Sequence, residues 1–337
     1  MTAPREQGGV ASSRARRADV SAAPEVVLAT FNGAAHVGAL LASLAAQTVA
    51  PAVVRVCDDG SRDGTRAVVE QWQHALPLRW LDAPPGAGAC GNFARLLAAC
   101  EGDYVMLADQ DDVWDAEKIA CAMRVMAELE SRWGKDVPLL VHGDLRLVDT
   151  AAQPLAPSFM SHQRLDPAAT AFKRLLLQNV VTGCTVLANR ALLREALPVP
   201  PEAAMHDWWL ALVASAFGHI GFVDRPTISY RQHGANQIGA RGWSARYLAE
   251  RARCLLSRRG AMSLLEPCVA QARAFDARYR ERLSEKQRLD LRWLVDLPSR
   301  TPLQRIGAAL RAGAHKHGVA RTLGFYWTLL WGRFRGP

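Results

Sequence analysis

Tyr104-Val-Met-Leu-Ala-Asp109-Gln-Asp111-Asp112-Val-Trp114 is the stretch on which the reading of this chain turns. Tyr104 to Ala108 is an apolar run of the length of a buried strand, and it ends on three carboxylates within four residues. The same grammar recurs upstream. Glu25-Val-Val-Leu-Ala-Thr30 runs into Phe31-Asn32-Gly33, and Val53-Val-Arg-Val-Cys57 runs into Asp58-Asp59-Gly60. Between them Val37, Leu40, Leu41 and Leu44 form one stripe at helical spacing. The spacing further predicts a helix over about 64 to 74, a strand at 78 to 81, a Gly/Pro loop at 83 to 91 and a helix from Asn92 to Cys100. Strands alternating with helices predict an α/β fold with a Rossmann-like, mostly parallel sheet and helices on both faces. Ligands of such sheets bind beyond the carboxyl ends of the strands. Thr30 and Asn32, Asp58 and Asp59, and Asp109 to Asp112 are therefore expected at one edge.

Downstream the pattern is more mixed. Strands are expected near 139 to 142, 180 to 188 and 219 to 223, and helices near 115 to 130, 168 to 178 and 207 to 217. From about 242 onward only helical patterns remain, broken by Pro267, Pro298 and Pro302. With 337 residues in all, this divides into a segment 1–23 expected to be disordered, a principal domain 24–240 and a basic helical extension 241–337.

Composition narrows the classes. Half of the residues are hydrophobic, which excludes a disordered or fibrous chain. The longest uncharged apolar run, Trp208 to Phe217, falls well short of the roughly 20 residues that span a bilayer. No apolar signal core follows the N-terminal arginines, so a cytoplasmic location is expected. Seven scattered cysteines without a C-x-x-C pair indicate reduced thiols, neither a disulfide framework nor a zinc site. The net charge of +9 is uneven: residues 241–337 hold 20 Lys and Arg against 7 Asp and Glu, while 21–240 hold 17 against 23.

Three carboxylates at a strand end repel one another unless a cation neutralises them. A hard divalent ion, Mg²⁺ or Mn²⁺, shared with substrate phosphates is one reading of Asp109, Asp111 and Asp112. A solvated acidic turn, with Asp112 or Asp115 capping the next helix, is the other. Asp58 and Asp59 lie nearest the sheet edge and are favoured for ligand contact, whereas Ser61 to Thr65 reads as turn and cap. Met205-His-Asp-Trp-Trp209 puts a carboxylate beside two indoles at a helix start. Asp207 is there either an N-cap or a general base whose desolvation raises its pKa. His233, in Tyr230-Arg-Gln-His-Gly234, reads as structural or as a ligand.

Together Thr30-Phe-Asn-Gly33, Asp58-Asp-Gly-Ser-Arg-Asp-Gly-Thr65, Asn92-Phe93, Gly102-Asp-Tyr104, Ala108-Asp-Gln-Asp-Asp-Val-Trp114, His206-Asp-Trp-Trp209 and Tyr230-Arg-Gln-His-Gly234 resemble, in order and spacing, the family 2 glycosyltransferases. The resemblance covers about residues 25 to 240 and is nearest to the rhamnosyltransferase-like branch. It implies a GT-A fold, a nucleotide-diphospho-sugar donor, inversion at the anomeric carbon and a divalent metal at an Asp-x-Asp motif. Carried over, Asp109-Gln-Asp111 is that motif, with Asp111 on the metal and Asp109 on the ribose or in the metal shell. Thr30, Asn32, Asp58 and Asp59 would hold the nucleotide, Asn92 would lie near ribose or diphosphate, and His233 would complete the metal site or touch the diphosphate. Asp207 occupies the position of the catalytic base. Thr182-Gly-Cys184, Trp208 and Trp209 are expected to build the acceptor side, with a core position the other reading of Trp209. The acceptor is a glycan or lipid-linked glycan of cell-surface polysaccharide synthesis, with rhamnose as the first choice of sugar.

The extension joins positive charge and helical spacing to Phe325-Tyr-Trp-Thr-Leu-Leu-Trp331, a combination suited to an anionic membrane surface at the inner face of the plasma membrane. A helical cap on the catalytic domain is the plainer alternative. Two other functions compete: a nucleic-acid-binding module using the basic tail, whose sparse aromatics argue against it, and a metal-dependent nucleotidyltransferase or phosphohydrolase, which would leave Asp207 without a role.

Overall fold

Strand β1 (Glu25–Thr30) shows how the layers arise. Its successive side chains point to opposite faces, so Val26 and Leu28 join one hydrophobic cluster and Val27 the other. The structure is a computed structural model and describes residues 23–232 and 253–334. The segment expected to be disordered, save residue 23, lies outside these residues, as does His233.

The first half follows the βα alternation: α1 (Val37–Ala45), β2 (Val53–Asp58), α2 (Thr65–Glu70), β3 (Leu78–Trp80), α3 (Gly88–Ala98) and β4 (Tyr104–Asp109). Next come β5 (Val113–Trp114), α4 (Lys118–Trp133), β6 (Leu139–Val148), β7 (Pro154–Ala156), α5 (Phe159–Gln163) and α6 (Phe172–Leu175). Then β8 (Leu187–Asn189), α7 (Arg190–Ala196), α8 (His206–Phe217) and β9 (His219–Arg231) complete the sheet-bearing part. The strand order is β3-β2-β1-β4-β8-β6-β9-β5, with β7 beside β6. Pairing is parallel from β3 to β4 and between β6 and β9; β8 joins the halves antiparallel to both neighbours, and β5 and β7 are also antiparallel.

Register aligns the acidic strand ends. Thr30 pairs with Asp58, and Ala29 with Asp109, so the three parallel strands finish at one rim. The alternation of β4 repeats that of β1: Val105 and Leu107 face one cluster, Met106 and Ala108 the other.

Several boundaries differ from expectation: β6 and β9 run on past 142 and 223, and two of the other differences have a visible physical cause. Helix α3 starts four residues before Asn92, because the carboxylate of Asp59 accepts the N–H groups of Ala87 and Gly88 at 2.8 Å and satisfies that helix end. The strand expected at 180–188 shrinks to β8. Asn179 bonds both N–H and C=O of Val181, holding that stretch out of the ladder, and a single 3₁₀ turn, Gly183–Thr185, follows. The helix expected at 168–178 is confined to α6.

The C-terminal helices are Arg258–Ser263, Glu266–Tyr279, Glu285–Val295, Pro302–Arg311 and Val319–Trp331. They are continuous with the core. Phe275, Tyr279, Leu291, Leu294, Phe325 and Leu329 share one cluster with Trp209, Leu210 and Val213 of α8. Phe275 packs edge-on against Trp209, with ring centroids 5.5 Å apart.

Candidate active site

The loops leaving β1 and β2 are laced together before any ligand arrives. Asp58 accepts from Thr30 Oγ1 (2.8 Å), Ser61 Oγ (2.6 Å), Ser61 N (2.7 Å) and Gly60 N (3.1 Å). Burial pushes its carboxyl up, but these hydrogen bonds from Ser61, Thr30 and Gly60 outweigh that and hold it below the ordinary range. Asn32, in the left-handed region at φ +48°, donates its N–H to Ser61 Oγ and accepts the N–H of Arg62 on Oδ1. Asp63 accepts from Ala34 N and from Thr65, fastening the same two loops. The turn reading of Ser61 to Thr65 is the one the structure supports.

Gln110, the middle residue of Asp109-Gln-Asp111, was not singled out in the sequence. Its Oε1 accepts from Phe31 N and its Nε2 donates to Phe31 O, both at 2.9 Å, the pattern of one more strand pairing. A Cβ on Gly33 would lie 2.1 Å from Gln110 Oε1, so the loop after β1 needs glycine there to admit the clamp.

Below this clamp Asp112 is fully buried, and neither carboxylate oxygen has a hydrogen-bond partner. It caps no helix: α4 begins after Glu117 without a side-chain cap, and Asp115 pairs with Arg146. Lys118 is buried beneath the same loop with its ammonium 3.5 Å from the Trp114 ring centroid. Burial drives Asp112 well above, and Lys118 down to about 7 from, their ordinary values; the charges of Asp109 and Asp111 add to the shift of Asp112. Ligand atoms of Asp109, Asp112 and Cys184 lie within 4.8 Å of one another. Burial raises the Cys184 thiol far enough to keep it protonated, so the carboxylates are the useful donors for a hard cation. Two orphaned buried oxygens beside a second carboxylate fit such an ion.

Asp207 meets this cluster from α8. It stands in the first turn and is no N-cap; the cap position is Met205. Its Oδ1 accepts the N–H of Trp208 at 2.6 Å. The other oxygen faces Gly183, where an added Cβ would sit 3.4 Å from Oδ2 and 3.3 Å from His206 Nε2. Gly183 adjoins Cys184, which reaches Asp109 and Asp112, and the charge of Asp207 bears on Asp109, so the base candidate lies beside the acidic rim. Burial pushes Asp207 up to about 7 against the hydrogen bonds of Trp208 and Gly183. Burial also raises Asp109 to about 7, with the negative charges of Asp111 and Asp207 adding to the shift. His206 stacks on Phe93 at 4.2 Å, and burial holds it down to about 3, neutral.

Several expected contacts change place. Trp209 is fully buried and donates Nε1 to Ala196 O, so it is core and faces no acceptor. Trp208 is only partly buried, its Nε1 donating to Leu175 O at 2.5 Å. Asn92 is buried and donates Nδ2 to Cys57 O, tying α3 to β2. Thr30 is likewise buried and acts on Asp58. Asp59 and Asp111 remain at the rim, partly accessible.

Comparison with known proteins bears on the family and the fold. Residues 25–131 match the model of the glycosyl transferase family 2. The chain is 27% identical over 222 residues to a dTDP-rhamnosyl transferase, RfbG, of Shigella flexneri, covering 63% of this chain and 74% of that one. It is 25% identical over 169 residues, half of this chain and 60% of the other, to the UDP-Glc:alpha-D-GlcNAc-diphosphoundecaprenol beta-1,3-glucosyltransferase WfgD of Escherichia coli. The crystal structure of residues 1–349 of S. aureus TarS with UDP-GlcNAc shares the fold at a TM-score of 0.52 and 16% identity, covering 92% of this chain and 90% of that one. In its motifs and its matched region the chain is similar to glycosyl transferase family 2, and its fold is that of the TarS structure.

Proposed function

We propose that this enzyme moves a sugar from a nucleotide-diphospho-sugar to a hydroxyl of a glycan or lipid-linked acceptor, with inversion and with Mg²⁺ or Mn²⁺ at the acidic rim. The observation that carries the reading is Asp207: a buried carboxylate beside the acidic rim, with one oxygen held by Trp208 N and the other next to Gly183. A base of pKa about 7 is poised to take the acceptor proton near neutral pH. One displacement then suffices, and no nucleophilic side chain is required.

Asp109, Asp111 and Asp112 are the residues that would hold the metal, with His233 as a further candidate outside the described residues. A divalent ion bound there neutralises charge on the departing diphosphate. Gln110 fixes the acidic loop to the loop after β1, while Asn32, Asp58 and Asp59 shape the nucleotide side; we assign direct donor contact to Asp59 and support to Thr30, Asp58 and Asn92. Trp208 borders the acceptor side. The name of the Shigella relative favours dTDP-rhamnose as donor, and that of the Escherichia relative favours a diphospholipid-linked acceptor. A thermal-shift panel of nucleotide sugars with Mn²⁺ tests the donor, because a ligand that binds only the folded state raises Tm. The expected result is a shift with dTDP-rhamnose that needs metal; no shift with any nucleotide sugar would overturn the reading.

A further inference from the structure

The helix Val319–Trp331 buries Phe325, Thr328 and Leu329 against the core, yet its opposite face is also apolar. Val319, Leu323, Trp327, Leu330 and Trp331 are exposed and fall at helical spacing along one stripe. The helix packed beside it, Pro302–Arg311, exposes Leu303 and Leu310 in the same way, at 76% and 62%. Ile306, Leu323, Trp327 and Leu330 line one shallow apolar trough between the two helices. The indoles are set for this role. Trp327 and Trp331 stack with centroids 5.9 Å apart, and each donates Nε1 inward, to Leu255 O and Leu256 O. Their polar atoms are thus satisfied within the protein, leaving ring faces and edges outside.

Charge identifies what such a face meets. Residues 300–337 contain six arginines and one lysine and no Asp or Glu. Arg311 and Arg333 are exposed at helix ends, and the Arg258 guanidinium lies 4.5 Å over the Trp331 ring. A second copy of the chain would oppose positive to positive. A nucleic acid would match the charge but leave the leucine stripe in water. An anionic bilayer surface takes both, burying aromatic and leucine side chains at the interface while arginines meet headgroups.

Resting on the proposed lipid-linked acceptor, we infer that the paired helices 302–311 and 319–331 form a docking face for anionic phospholipid bilayers. The same face is tied to the acceptor side. Arg174 donates to His315 O and His317 N donates to Gln178 Oε1, anchoring the lead-in to the last helix on the α6 segment. That segment also carries Leu175, whose carbonyl receives the Trp208 indole beside the base. Docking there brings the acceptor side towards the lipid surface from which its substrate comes.

The test is co-sedimentation of the full chain with vesicles of phosphatidylglycerol and phosphatidylethanolamine, against phosphatidylcholine vesicles. Binding to the anionic vesicles is expected, weakened by salt, with little on phosphatidylcholine. Leu323→Ser with Leu330→Ser, and separately Arg311→Glu with Arg333→Glu, should each weaken it by at least about tenfold. All four positions are exposed, so far-UV circular dichroism and nucleotide-sugar thermal shifts should stay as in the parent. Absence of vesicle binding, equal binding to both lipids, or a dimer in sedimentation that the leucine pair abolishes would overturn the inference. Vesicle binding without donor turnover would uphold this face and remove the proposed reaction instead.

Discussion

Replacing Asp207 by Asn should stabilise the protein while disabling it, and the size of the gain follows from burial. In the folded chain the Asp207 carboxyl is raised from 3.8 to about 7, so the fold binds that proton more tightly than the unfolded chain does. Its favourable contribution is therefore complete below pH 3.8 and is lost as the pH climbs through about 7. A shift of about three units at 1.36 kcal/mol each gives roughly 4 kcal/mol of penalty for the ionised side chain at alkaline pH, and under half of that near pH 5. Asn keeps an acceptor for the Trp208 N–H and carries no charge, so most of the penalty should disappear. Urea unfolding of parent and Asp207→Asn without added metal should show a stability gain for the variant that grows by about 2 to 3 kcal/mol from pH 5 to pH 8.5. Sugar transfer should meanwhile fall by at least about 100-fold, the lower end for a lost general base, while donor binding persists. A stability difference that did not change with pH would refute the burial argument, and near-normal transfer would refute the assignment of the base.

Three more outcomes follow. Asp111→Ala should abolish the Mn²⁺-dependent part of the donor thermal shift while leaving the metal-free melting temperature within a few degrees of the parent, since Asp111 lies partly accessible at the rim. Lys118→Met removes a buried amine whose pKa burial lowers from 10.5 to about 7, so in urea unfolding the variant should gain stability over the parent as the pH falls from 9.5 to 7.5, by about 2 to 3 kcal/mol; a difference that does not change with pH would refute the burial argument. Gly183→Ala puts a Cβ 3.3 Å from His206 Nε2, tighter than ordinary contact, so His206 must give way beside the base; kcat should fall by about tenfold with an unchanged donor thermal shift, because a small displacement of the base is felt in the transition state.

The rim was legible because strand ends announce themselves. Apolar runs that stop on Thr30, Asp58 and Asp109 predict both the parallel strands and their common edge, and the register confirms each one. What the sequence left open was which carboxylate does what at that edge. Asp112 and Asp111 are chemically alike and adjacent, yet Asp111 is partly accessible and Asp112 is fully buried, a difference made by tertiary packing alone. Gln110 was hidden for the same reason: its partner, Phe31, lies 79 positions away. Trp208 and Trp209 illustrate helical geometry, since neighbours about 100° apart on a helix cannot both face one pocket, and Trp209 goes to the core. The mixed pairing around β8 escaped because β8 is a three-residue strand whose predecessor is held aside by Asn179.

The shared cluster of α8 with Phe275 and Tyr279 also bears on how enzymes of this design can be cut and recombined. Removing the chain beyond 240 would strip cover from Trp209, two residues from the base, and from a sheet face that those helices shield. Each large side chain so uncovered forfeits about 1.5 to 3 kcal/mol, which a domain of ordinary stability cannot lose several times over. Swapping acceptor preference between relatives by exchanging C-terminal halves therefore requires that the residues opposite α8 travel with them.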